Sequence, residues 1–253
     1  MAILVKSAEQ LNRMRAAGEI AAKTHEFLRK MIKPGITTKE LNRVAEEFML
    51  KHGATPSFKG YRKFPASICT SVNYEVIHGI PNSKALKQGD ILSIDIGAYI
   101  GGFHGDSSRT YAVGAISAEN KRLIEVTRNS FFEGLRYARA GRHLHEISGA
   151  IQKFVEANGF SVVRDYVGHG IGKQLHEPPD IPCYKPPNRG PRLYPGMVLA
   201  IEPMVNAGAS DVEILSDQIT VVTKDGRNSA HYENTVVITN SEPELLTIMD
   251  EAN

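Results

Sequence analysis

The sequence predicts a mixed α/β (α+β) protein built from two related halves, about residues 1–115 and 116–253. Three observations carry this. The chain has 253 residues, 42% of them hydrophobic, which is enough for a sizeable core. Each half opens with two segments of helical apolar spacing. Each half then turns to short apolar runs bounded by Gly, Pro and polar turn residues. Sequence similarity between the halves is weak, so the repeat is topological.

Ser7 and Gln10 form a capping box, which predicts a helix running to about Met31, with Leu11, Met14, Ile20, Ala21, Phe27 and Leu28 on its apolar face. Pro34 and Gly35 stop it. Thr37 and Glu40 form a second box, and that helix ends at Gly53, a residue suited to a left-handed cap. Strands follow at Ala66–Val72 and Ile91–Ile100. Gly101 and Gly102 make a turn, and 103–113 returns as the second arm of a hairpin. In the second half, Ser117 opens a helix to about Arg139, and another runs from about Leu144 to Asn158. Strands are expected at 162–167, 198–202, 219–223 and 232–238. No Ser- or Pro-rich linker separates the halves. The Pro-dense stretch 177–187 reads as an ordered surface loop.

Composition excludes several classes. The formal net charge is +2, with Lys and Arg scattered, so no basic block tracks a phosphate backbone and nucleic acid is not implied. Cys69 and Cys183 are too few for a disulfide framework or a zinc ribbon, and read as reduced thiols. The start, Met1 to Lys6, lacks the pattern of a signal peptide, and no apolar run approaches the ~18 residues that span a bilayer. A cytoplasmic protein without a membrane partner is expected.

Chemistry gathers at five positions. Asp95 and Asp106 sit on the two arms of the hairpin, Asp95 between two isoleucines. A carboxylate there is expensive to bury unpaired. A single strand Asp would be read as bonded to nearby amides. Three similar anomalies downstream weaken that reading. His169 leaves a strand between two glycines, Glu202 ends an apolar strand before Pro203, and Glu233 stands at the mouth of another. The glycines beside His169 are expected to let the backbone turn and to uncrowd the ring. One imidazole and four carboxylates suit a pair of divalent ions, because carboxylates bridge and oxygen donors fit Mn, Co or Fe as well as Zn. Two such ions can hold and deprotonate one water.

The ordered motifs Ser93-Ile-Asp95, Gly102-Phe-His-Gly-Asp106, Gly168-His169-Gly, Ile201-Glu202-Pro and Tyr232-Glu233-Asn resemble the methionine aminopeptidases of the pita-bread fold. Ile77-His78-Gly and Val205-Asn206-Ala strengthen the match, which runs from Ser7 to about Ile238. The resemblance implies pseudo-twofold halves, a curved antiparallel sheet covered by helices, and a single catalytic metallopeptidase domain over 1–253. It implies removal of the initiator methionine from nascent polypeptides with a small second residue, by attack of a hydroxide bridging two metal ions. These would be Co, Mn, Fe, Zn or Ni. Asp106 and Glu233 would bridge both ions, Asp95 would complete one site, and His169 and Glu202 the other. Glu202 would also carry the water proton to the leaving amine. His78 and His176 would contact the substrate at the scissile amide and stabilise the oxyanion.

The same resemblance places a methionine pocket at Phe58, Tyr61, Phe64, Leu175 and Ile219. Many bacterial members carry Cys, Phe and Trp where this chain has Phe58, Leu175 and Ile219. All these side chains are apolar, so a thioether still fits. Ordinary core packing is the competing reading for each aromatic. Asn73 and Ser229 match positions that some relatives use for Na or K. The short gap from His169 to Glu202 resembles type I members. The implied partner is the N-terminal Met of a nascent chain, with docking at the ribosome and a monomeric state. His143 and His145 are expected as solvated surface. Two alternatives stay open. Proline-directed dipeptidases and aminopeptidases share the fold but usually carry an extra N-terminal domain, for which a first helix at Ser7 leaves no room. A non-catalytic binding module would have lost ligands.

Overall fold

The structure, a computed structural model, describes residues 3–248. Met1, Ala2 and 249–253, which the sequence reading included, lie outside the described residues. In chain order the elements are α1 (Ala8–Arg29), α2 (Thr38–Lys51), β1 (Thr55–Pro56), β2 (Cys69–Val72), β3 (Glu75–Ile77), β4 (Ile91–Ile100), β5 (Phe103–Ala112), α3 (Ala118–Leu135) and α4 (Leu144–Ala157). There follow β6 (Ser161–Val162), β7 (Gly168–Gly170), β8 (Glu177–Ile181), β9 (Val198–Ile201), β10 (Met204–Asn206), β11 (Val212–Ile214), β12 (Val221–Thr223), β13 (Ser229–His231), β14 (Asn234–Val237) and β15 (Glu244–Leu245).

The helix starts are where side-chain chemistry puts them. The Ser7 hydroxyl accepts from the Gln10 amide, and the Gln10 side chain accepts from the Ser7 amide, which satisfies two orphan donors. Thr37 and Ser117 cap through their hydroxyls alone, accepting from the Glu40 and Asn120 amides, so the second box expected at Thr37 and Glu40 is only half formed. Gly101 and Gly102, at φ 61° and 84°, make the two-residue turn between β4 and β5, a conformation other residues resist. The ten-residue arms of this hairpin pair in continuous register from Ile91 with Ala112 to Ile100 with Phe103.

Among the described residues the strands form four sheets, with every pairing antiparallel. One is the β4–β5 hairpin extended by β2 and β1 on the β4 side. Another runs β15-β14-β9-β7-β8. Backbone bonds between Ser108 and Glu233 in both directions join these two sheets. One apolar core lies under α1 and α2 against β4 and includes Leu28, Leu41, Met49, Ile94 and Ile96. Another lies under α3 and α4 and includes Phe131, Leu144, Ile151, Leu199 and Val236. Each fully buried Leu, Ile or Phe of this kind is worth ~1.5–3 kcal/mol of transfer free energy.

Several expectations need correction. The Pro-dense stretch is a loop only in its later part; Glu177–Ile181 is the edge strand β8, with Glu177, Pro179 and Ile181 buried. Its prolines are tolerated because an edge strand leaves amides unpaired. The helix opened by Ser117 ends at Leu135, and Tyr137 and Ala138 form turns back on it. The strands expected at 162–167 and 219–223 shrink to β6 and β12. The 232–238 strand shrinks to β14, with Tyr232 and Glu233 linking it to β13, a strand the sequence reading did not expect. His143 and His145 are half-buried: their Nδ1 atoms bond the carbonyls of Gly190 and Asn188 and fasten α4 to that loop. Both cysteines are free and buried. No described helix is long and apolar enough to cross a membrane.

Candidate metal centre

Asp95 lies opposite Ser108 and Asp106 opposite Gly97, so the two aspartates are diagonal neighbours on one face of the hairpin. The Thr235 hydroxyl clamps the backbone of Asp106, accepting from its amide at 2.9 Å and donating to its carbonyl at 2.8 Å. His169 lies on β7 opposite Ala200 of β9, and Glu202 follows the end of β9. The glycines around His169 answer to space rather than to turning. A Cβ on Gly168 would sit 2.3 Å from the Ala200 carbonyl oxygen, and one on Gly170 2.2 Å from that of Pro178.

These five side chains meet. Donor atoms of Asp106, His169 and Glu233 all lie within 4.8 Å of one another, and all three residues are buried. His169 Nε2 is 4.0 Å from Asp106 Oδ2 and 3.6 Å from Glu202 Oε1. Asp95 joins them at the floor of one cavity of about 270 Å³. Burial pushes Asp95 up to about 7, with Glu202 adding and His231 opposing. Burial likewise pushes Glu202 up to about 7, against the pull of His169. Asp106 and Glu233 are raised by burial and by the neighbouring carboxylates.

Such a set is short of positive charge. Asp95 Oδ1, Asp106 Oδ1 and Glu233 Oε1 are buried without a hydrogen-bond partner. His169 Nδ1 donates to the Gly170 carbonyl at 2.9 Å, so in the neutral ring Nε2 turns a lone pair toward the carboxylates. A lone pair facing anions is repulsive unless a cation stands between them, and this second hydrogen bond is the usual mark of an imidazole ligand. The residues therefore fit divalent cations.

The cavity walls carry the other expected residues. Phe58, Tyr61, Phe64, Leu175, Ile219, His78 and His176 all line it. His176 Nδ1 bonds the Tyr61 hydroxyl at 2.8 Å, and the two rings stack at 5.2 Å. Neighbouring cavity residues partly desolvate both rings, although both histidines keep an exposed side; this, with His169 and Arg62 nearby, holds His176 below the ordinary imidazole range, and with His231 and Arg62 it does the same for His78. His78 itself has φ 59°, an uncommon backbone conformation for a non-glycine residue. Asn73 and Ser229 come together outside the cavity lining, the Ser229 amide donating to the Asn73 carbonyl at 2.9 Å. Their side chains are engaged elsewhere, Asn73 with Asp90 and Ile91, Ser229 with Val205. A more open groove of about 750 Å³ along α4 contains none of these residues.

The sequence reading missed several members. Cys69, Arg62, Tyr166, Ile214 and Gln218 also line the cavity. Cys69 pairs with Asp95 across β2 and β4, which only the register reveals. His231 Nε2 lies 3.5 Å from Glu202 Oε2. Its signal was its place two residues before Glu233. Arg109 is buried, and its guanidinium donates to the Glu233 and Ser108 carbonyls, to Asn234 Oδ1 and to the Thr247 carbonyl.

A buried, cation-deficient cluster of carboxylates and imidazole under an apolar cavity defines a metal-dependent enzyme. The chain belongs to metallopeptidase family M24, whose profile matches residues 12–240. It is 59% identical to methionine aminopeptidase 1 of Bacillus subtilis over 245 residues, 97% of this chain and 99% of that protein. It superposes on the crystal structure of methionine aminopeptidase from Rickettsia prowazekii with a TM-score of 0.96 at 42% identity, covering 98% of this chain and 100% of that one. Prolidase from Pyrococcus furiosus shares the fold at a TM-score of 0.80 and 23% identity; this chain covers 66% of it. The expected pita-bread fold, with mixed α/β layers and antiparallel sheets, is the fold found.

Proposed function

We propose that this chain is a metal-dependent aminopeptidase that removes the N-terminal methionine of polypeptides. The observation that carries this is the cavity. Its floor is the carboxylate and imidazole cluster, and its walls are the apolar side chains Phe58, Phe64, Leu175 and Ile219, a lining suited to a thioether.

Asp95, Asp106, His169, Glu202 and Glu233 are the side chains that would hold two divalent cations, drawn from Co, Mn, Fe, Zn and Ni. When bound, such ions supply Lewis acidity at the scissile carbonyl and acidify water. Glu202, whose two oxygens face His169 and His231, is the group that would accept a proton from the attacking water and return it to the leaving amine. The Tyr61 hydroxyl, donating to His176 Nδ1, leaves His176 Nε2–H as a donor for the substrate carbonyl oxygen. His78, on the same cavity wall, supports that oxygen from another direction. The carbonyl oxygens of Asn73 and Ser229 are the candidates for a Na or K ion.

A single catalytic domain over 1–253 accounts for both halves contributing ligands, Asp95 and Asp106 from 1–115 and His169, Glu202 and Glu233 from 116–253. The substrate is a nascent chain with a small second residue, met as a monomer in the cytoplasm at the ribosome. The test is hydrolysis of Met-Ala-Ser, Leu-Ala-Ser and Ala-Pro-Ala after chelation and readdition of Mn, Fe, Co, Zn or Ni. Methionine release from the first peptide alone is expected. Release of a residue next to proline without methionine release would support the proline-directed alternative instead.

A further inference from the structure

His231 closes β13 and is 2% exposed. Its Nε2 is buried and has no hydrogen-bond partner. Unpartnered buried nitrogens are uncommon, and each calls for a reason. This one lies 3.5 Å from Glu202 Oε2, while Glu202 Oε1 lies 3.6 Å from His169 Nε2. The Glu202 carboxylate is therefore held between two imidazole edges, one at each oxygen.

The two edges differ in kind. His169 spends its proton on the Gly170 carbonyl and offers a lone pair. It also belongs to the group of donors gathered within 4.8 Å of one another, and His231 does not. A neutral imidazole outside that group, facing a carboxylate oxygen, is stable there as an N–H donor. A movement of about half an ångström brings the pair to hydrogen-bond distance. The His231 backbone is fixed meanwhile. Its amide donates to Thr110 Oγ1 at 2.9 Å, and that hydroxyl donates to its carbonyl at 2.9 Å. Pairing of His231 with Met204 sets it beside the strand that begins two residues after Glu202.

We propose that His231 is the positioning residue for Glu202: its Nε2–H holds Oε2, which turns Oε1 toward the His169 side of the cluster. This rests on the function proposed above, in which Glu202 both holds a cation and carries a proton. The experiment pairs His231→Leu with His231→Gln, whose terminal N–H reaches about as far as the imidazole Nε2–H. Three quantities are read: Mn²⁺ affinity of the metal-free protein by calorimetry, kcat and KM on Met-Ala-Ser, and the pH profile of kcat. The Leu variant is expected to lose about tenfold in Mn²⁺ affinity, the low end of the range for outer-shell partners. Its kcat should fall roughly 30- to 100-fold at a KM within about threefold of wild type, with a displaced acid limb. The Gln variant should return to within about threefold of wild type in both. If the Leu variant does not fold, His231→Asn, one methylene shorter, should show the same losses. Wild-type Mn²⁺ affinity and kcat in the Leu or Asn variant would overturn the proposal. So would a Gln variant no better than Leu, which is the behaviour of a metal ligand. A wild-type chain that binds Mn²⁺ but releases no methionine overturns the proposed function alone, since calorimetry still reads the positioning. A wild-type chain that binds no Mn²⁺ overturns both.

Discussion

Lys6 Nζ lies 2.6 Å from Glu177 Oε2, and neither side chain is more than 5% exposed. The other carboxylate oxygen, Oε1, accepts from the Gln174 amide at 3.1 Å. One buried ion pair thus anchors the segment before α1 to the loop that carries Leu175 and His176. Removing one partner strands a buried charge, which costs about 3–5 kcal/mol. Lys6→Met is therefore expected to lower the melting temperature by roughly 10 °C or more. It should also reduce kcat/KM for methionyl peptides, because the loop loses its fixed point. Lys6→Met with Glu177→Leu removes both charges and should recover much of the stability. Melting curves of the three proteins check this; a single Lys6→Met variant within 2 °C of wild type would refute it.

Metal removal is expected to destabilise the protein in a pH-dependent way. Asp95 and Glu202 rise on folding from ordinary values near 4 to about 7, chiefly through burial. The folded metal-free chain then binds more protons than the unfolded chain between about pH 4 and 7. Its stability is full below that window and falls as pH rises through it. A divalent cation substitutes for those protons. The difference in melting temperature between Mn²⁺-loaded and chelated protein should be small at pH 5 and large at pH 8. Equal differences at the two pH values would show that the carboxylates are not the metal's partners.

What the sequence disclosed, and what it hid, follows from range. The hairpin is local: alternation, two glycines and ten-residue arms specify it, so Asp95 and Asp106 were legible as a pair. The capping box of α1 and the Thr37 hydroxyl cap of α2 are local too. Strands β3, β10 and β13 have three residues each and owe their pairing to distant partners, so no periodicity announces them. Thr110 and Thr235 look like ordinary strand hydroxyls until His231 and Asp106 arrive against them. The resemblance supplied the ligand set that spacing alone left as a group of anomalies. It supplied nothing about His231 or Arg109, which act through neighbours.

Arg109 is the second place where one substitution should be felt both in stability and at the site. Its guanidinium donates to three backbone carbonyls, including that of Glu233, and to Asn234 Oδ1, and it stacks 4.3 Å over the Tyr232 ring. A lysine ammonium has no planar fork and cannot reach these acceptors together. Arg109→Lys should cost about 3–5 kcal/mol and Arg109→Met a similar amount, since the carbonyls are left buried without donors. Because Glu233 hangs on the same backbone, Mn²⁺ affinity by calorimetry should fall with stability. An Arg109→Lys protein with wild-type metal affinity would separate the two effects and remove Arg109 from the site.

The two apolar walls of the cavity should divide by burial. Leu175 is 2% exposed and packs in an apolar cluster with Phe58 and Phe64, whereas Ile219 is only partly buried beside it. Leu175→Ala opens a cavity in a packed region and is expected to cost about 2–5 kcal/mol. Its effect on turnover is then mixed with its effect on folding. Ile219→Ala removes a wall that little else leans on, so its melting temperature should stay near wild type. Losing a few methylenes of contact lowers kcat/KM for Met-Ala-Ser by roughly 10- to 200-fold. Leu-Ala-Ser, whose branched side chain is the one a narrow slot rejects, should lose less or gain. The ratio of the two specificity constants is the measurement. An unchanged ratio in a stable Ile219→Ala protein would place the methionine side chain against another wall.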